Sequence, residues 1–143
     1  HAKPHNVNEQ KSAFQIKKTN EHVTQEHSST IYKTLADQYD IQNATFEELV
    51  HLSHTLYNAG EISLKEHMTL TFDYEKATNH LKRHAPGAIP SHFTMYETAA
   101  NEYGQRNWIA EFEARASKDL SFGHTIGYHN KLKVLDILQR LAR

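Results

Sequence analysis

Histidine is the residue type with the most chemical reach in this chain. Twelve of the 143 residues are histidine, several times the usual share. Imidazole is the commonest metal ligand and the side chain whose charge ordinarily changes at about pH 6.5. His80 and His84 stand four apart in a stretch of helical character, so they share a face and could chelate one metal ion. His92 lies just beyond a proline-rich break and could fold back as a third ligand. These three residues are the candidate metal ligands, and they would make the protein a metal-dependent enzyme or a metal sensor. The competing account is solvated histidines on polar helix faces.

A second cluster is Glu48, His51 and His54, stepped three apart. Glu48-x-x-His51 resembles the E-x-x-H unit of carboxylate di-iron bundles, which need a second such unit and two further glutamates on long helices. The chain has no second E-x-x-H. It also lacks a G-x-S-x-G elbow and a glycine-rich phosphate loop, so no residue is put forward as catalytic. Glu97, Glu102, Glu111 and Glu113 fall in helical stretches and read as solvated charge. With no cysteine, disulfides, thiolate zinc sites, iron–sulfur clusters and thiol nucleophiles are excluded, and no cofactor is expected.

The elements that would position these residues are organised around a helical hairpin, Asn43 to Phe72. Thr45 with Glu48, and Ser63 with Glu66, each spell a capping box, in which hydroxyl and carboxylate take reciprocal backbone protons. Gly60 sits where a left-handed residue would stop the first helix. The run from Gly60 to Glu66 resembles the second half of an EF-hand calcium loop, with the glycine, an apolar residue and the closing glutamate in register. In that register Tyr57 and Ala59 fall on ligand positions, where neither can supply the required oxygen, and a capped hairpin explains the same letters. The hairpin could also be a DNA-reading helix-turn-helix, its second helix offering Lys65, His67, Thr69 and Thr71. Glu66 interrupts that face, and the chain balances 16 basic against 17 acidic residues. Such a balance argues against nucleic acid as a partner.

Taken in order, residues 1–27 are polar and aperiodic, with Phe14, Ile16 and Val23 fitting neither helix nor strand, and read as a flexible polar arm. The opening His1, rather than Met, reads as a tag remnant or a processed start. Residues 28–143 read as one helical domain with a candidate hinge at 85–90, where two prolines and a glycine break the chain. Helices are expected over Thr30 to Tyr39, Phe46 to Asn58, from Leu64 onward with a fresh cap at Asp73, and over Tyr74 to His84. Ser91 is expected to cap a further helix carrying Phe93, Tyr96, Ala100 and Tyr103, ended by Gly104. Asn107 is expected to cap the next, with Trp108, Ile109, Phe112, Ala116 and Leu120 on one face. Gly123 and Gly127 make Ser121 to Asn130 read as a loop, before a last amphipathic helix from Lys131 to Ala142.

The fold class is therefore all-α, an irregular bundle of about six or seven short helices behind a polar arm. Mean hydropathy is −0.75, so the core must be economical. No apolar run approaches a membrane span, which places the chain in the cytoplasm as a soluble protein. The functional expectation is a small accessory or regulatory domain, monomer or homodimer, acting by contact with a protein partner. The alternatives are the metal-dependent reading and a sequence-specific DNA regulator. Phe122 and Tyr128, flanking the glycine-containing loop, and Leu138, on the last helix, are the candidate partner surface. If the arm adds nothing to the core, its deletion leaves the melting temperature nearly unchanged. A fall of more than about 5 °C in a thermal scan, on the order of 1 kcal/mol for a domain this size, would show that it docks.

Overall fold

Side-chain caps start four of the helices. Thr45 accepts from the Glu48 amide at 3.1 Å, and Glu48 accepts from the Thr45 amide at 3.0 Å. Ser63 and Glu66 repeat that exchange at 3.1 and 2.7 Å. The Asp73 carboxylate accepts from the Lys76 amide, and the Asn107 side chain from that of Ala110. Each cap satisfies amide groups that the first turn of a helix leaves without partners.

A computed structural model describes residues 27–142. Except for His27, the arm lies outside the described residues. Helix α1 spans 27–38, α2 Phe46–Asn58, α3 Leu64–Thr71, α4 Tyr74–His84, α5 Trp108–Ser121 and α6 Thr125–Leu141. The architecture is all-α, with no strand among the described residues. An isolated antiparallel bridge joins Ala44 to Arg106. Gly60, at φ +75°, reverses the chain between α2 and α3 as a left-handed residue should.

Helices α5 and α6 form the main packing pair, α2 lies on α3, and α3 reaches α6. One core joins them. Leu49, Leu52 and Leu56 of α2 meet Trp108, Phe112 and Ala116 of α5, and Val134, Ile137, Leu138 and Leu141 of α6. Tyr32, Leu35, Ile41, Ala44, Ile62, Leu70 and Leu135 complete it, so the core draws on both sides of the 85–90 break. Burying one such leucine contributes about 1.5–3 kcal/mol. Trp108 also locks α5 to the α1–α2 link. Its backbone amide donates to the Ile41 carbonyl at 3.1 Å, and its indole Nε1 donates to the Ala44 carbonyl at 2.8 Å.

Two expectations are corrected. Residues 91–107 form a non-helical strap despite the helical spacing of Phe93, Tyr96, Ala100 and Tyr103. Side chains there satisfy the backbone instead of a helical ladder. Asn101 Oδ1 accepts from the amides of Tyr103 and Gln105, and Thr78 Oγ1 accepts from that of Met95. Tyr103 is left 73% exposed, and of the four residues in that period only Tyr96 packs against the core. The second correction is that α6 begins at Thr125 rather than Lys131. Gly123, at φ +74°, does interrupt the chain, but Gly127 is helical. A Cβ at Gly127 would lie 2.6 Å from Asp119 Oδ2 of α5, so this glycine permits the close approach of the two helices. Asp119 there accepts a hydrogen bond from Lys131.

Leu138 is completely buried in this core. Leu138→Ala should cost about 2–5 kcal/mol. Its urea midpoint should not move between protein concentrations about a hundredfold apart, as expected of a core formed within one chain. Midpoints that rise with concentration would assign the α6 stripe to an intermolecular seam.

Candidate functional site

The residues singled out from the sequence fall in separate places. His80 and His84 do meet, with ring centroids 4.1 Å apart on exposed α4. His92 does not complete a set with them: among the described residues no three His, Asp or Glu side chains converge to hold a metal ion. His92 is an exposed residue of the strap, next to Ser91, whose carbonyl accepts from Lys82 of α4. Glu48 is occupied by the α2 cap, and His51 Nδ1 shares a 2.6 Å hydrogen bond with the Tyr39 hydroxyl. Glu66 is occupied by the α3 cap. The three candidate partner-surface residues also separate. Phe122 is 66% exposed, beside exposed Leu120 and Ile126 at the α5–α6 corner. Tyr128 is half-buried against the core. Leu138 is sealed inside it and presents nothing outward, because α6 turns that face to α5.

A serine–histidine pair emerges only in three dimensions. Ser53 Oγ of α2 and His67 Nδ1 of α3 share a 2.7 Å hydrogen bond. A nucleophile–base pair has this geometry, but a nucleophile must also be reachable, and Ser53 is fully buried. Tyr57 stacks on the His67 ring at 5.0 Å, and the His54 ring lies 5.9 Å away. Burial, then the neighbouring His54, holds the His67 imidazole below its ordinary pKa. Its neutral form is the one that can both accept and donate, and it fastens the hairpin.

The strongest electrostatic feature is the Glu111 carboxylate, which has no exposure to solvent. It lies on the same α5 face as Trp108 and Phe112, contrary to the solvated role expected from the sequence. Amides of Glu97 and Thr98 donate to it at 3.1 and 2.8 Å, and the Thr98 hydroxyl at 2.5 Å. Arg115 Nε donates at 2.8 Å, and Arg106 Nη1 stands 3.8 Å away. Desolvation pushes the carboxyl pKa up, but hydrogen bonds from Thr98, Arg115 and Glu97 outweigh it and hold the group below the ordinary value. Both guanidinium groups also lie on aromatic rings: Arg106 is 3.6 Å from the centre of Tyr96, and Arg115 is 3.5 Å from that of Tyr74.

Arg115 links this buried network to an open groove of about 650 Å³. Leu64, Met68 and Phe72, every fourth residue along α3 and its C-cap, line one side. Tyr74 and Met95 line it further, with Thr69. Lys65, Arg115 and Lys131 supply cationic atoms, and none of the lining residues is acidic. Leu64, Met68 and Phe72 are 54%, 61% and 53% exposed. Their spacing, one turn apart with Leu70 on another side, is readable in the sequence. The buried side of α3 belongs to Leu70. The role of Glu111 had a sequence signal too, since Glu111 and Arg115 interrupt the apolar face at i and i+4.

No family model, curated protein or solved structure matches this chain. The site is therefore interpreted from its own geometry.

Glu111→Gln should destabilise the protein by about 3–5 kcal/mol, because it leaves buried Arg115 without its counter-charge. The folded pKa is depressed, so the stabilisation is fully present above the unfolded-state value near 4.5 and is lost as pH falls below it. The stability gap between parent and variant should thus narrow in urea titrations as the pH drops from neutral to below that value. A gap that stays constant would remove Glu111 from the acid-sensitive groups.

Proposed function

We propose that this chain is a helical accessory or regulatory domain that acts by protein–protein contact, with the α3 groove as its contact surface. The observation that carries the reading is the Leu64–Met68–Phe72 stripe, each residue more than half exposed on a well-capped helix. A small domain with few apolar residues gains nothing in stability from holding such a stripe in water, and clustered exposed apolar side chains mark interaction sites. Both methionines of the chain, Met68 and Met95, line the same groove. Methionine is flexible and polarisable and adapts to the shape of what it meets. The proposal moves the contact surface away from Tyr128 and Leu138, which are packed into the core, and leaves Phe122 at a separate corner.

Met68→Asp tests this directly, since Met68 is exposed and its replacement leaves the core intact. Parent and variant, matched for helicity and melting temperature, are immobilised and exposed to extract of the native host. A protein retained by the parent, lost with Met68→Asp and still retained by Phe122→Asp is the expected result. Identical captured sets for parent and Met68→Asp would refute the reading.

A further inference from the structure

The groove carries a charge pattern that narrows the kind of partner it fits. Its cationic atoms come from Lys65, Arg115 and Lys131, on three different helices, and no acidic side chain lines it. Two of these cations have acids behind them. Lys131 pairs with Asp119, and Arg115 with Glu111. Glu111, however, faces Arg106 as well as Arg115, so one carboxylate answers two guanidinium groups. Asp73, next to Phe72, spends a carboxylate oxygen on the α4 cap. Lys65 is exposed. The groove therefore combines an apolar stripe with a lining whose charged side chains are all basic.

A second feature points the same way. Arg115 is 4% exposed, yet its Nη2 is buried with no hydrogen-bond partner among the described residues. Buried donors are nearly always paired, and an orphan on a guanidinium is costly. The residue lies at the groove wall beneath the Tyr74 ring. Nη2 itself is shielded from solvent, but Arg115 lines the groove wall, and a carboxylate seated there would answer the guanidinium's charge.

We infer that the groove receives an acidic amphipathic helix of a partner protein, its apolar side chains on Leu64, Met68 and Phe72 and its carboxylates toward Lys65 and Arg115. This rests on the protein-contact reading above and names the partner's chemistry. A stripe spaced by four on α3 offers the ridge that a second helix packs against, as in helix-in-groove recognition. Complementary charge at the rim then sets orientation and selects against basic segments.

The test uses the full chain and two labelled synthetic helical peptides with the same leucine stripe, one flanked by glutamates and one by lysines. Fluorescence anisotropy should show the glutamate peptide binding about tenfold or more tightly at low salt, with the preference shrinking as salt screens it. Lys65→Glu should reduce that preference severalfold, and Met68→Asp should abolish binding of both peptides. Equal affinity for the two peptides, with Met68→Asp still abolishing binding, would overturn the acidic partner while leaving the contact reading intact. Peptide binding unaffected by Met68→Asp would remove the groove from both. Failure of both peptides to bind overturns the inference alone. Sedimentation of the protein by itself covers the remaining occupant: self-association abolished by Met68→Asp would give the groove to a second copy and overturn the acidic helix.

Discussion

A carboxylate shut away from water has to be answered by donors from all around it, and Glu111 is placed to use that requirement. The strap of residues 91–107 has no helical ladder of its own. Its amides at Glu97 and Thr98 find an acceptor in Glu111, and Arg106 at its far end donates to the Thr98 carbonyl. Arg115 completes the shell from one turn further along α5. Desolvating the carboxylate costs several kcal/mol, and only the full set of hydrogen bonds offsets it. Partial assembly is therefore penalised, which makes the path of the strap specific. Lys118, pairing with Glu97 at 3.0 Å on the surface, adds a further tie between strap and helix.

From that constraint the groove follows. The strap brings Met95 across from α3, and α5 brings Arg115 to the same wall. Helix α3 spans only Leu64–Thr71 and buries Leu70 alone, so its other apolar side stays uncovered among the described residues. Hydrophobic burial holds the helices, and the buried ionic network decides what lies between them. The same guanidinium that stabilises the Glu111 shell thus stands at the edge of the exposed apolar stripe, so apolar and cationic side chains line one groove.

The histidines have a smaller part. His67 fastens α2 to α3 through Ser53, and His51 fastens α2 to Tyr39 just beyond α1, so two of them act as polar staples in the hairpin region. His80 and His84 sit together near the end of α4. Composition draws attention to this residue type, but its chemistry depends on what surrounds each ring.

Local signals were enough for much of this chain. Thr45, Ser63, Asp73 and Asn107 announce their helices, because a cap is decided within three or four residues. The apolar face of Val134, Leu135, Ile137, Leu138 and Leu141 is equally legible, since helical period and burial coincide there. The early start of α6 was hidden: His124 makes no side-chain cap, and Gly127 reads as a breaker until Asp119 is seen against it. The strap was hidden too, because Tyr96 and Tyr103 keep helical spacing while Thr94 and Asn101 take their amides, and distant Glu111 takes those of Glu97 and Thr98. Which face of α3 goes inward, and whether Glu111 is wet or dry, depends on contacts between residues distant in sequence. Periodicity states that a helix has an apolar side, but only packing against α2 and α6 determined that Leu70 would be buried and Leu64, Met68 and Phe72 left in water.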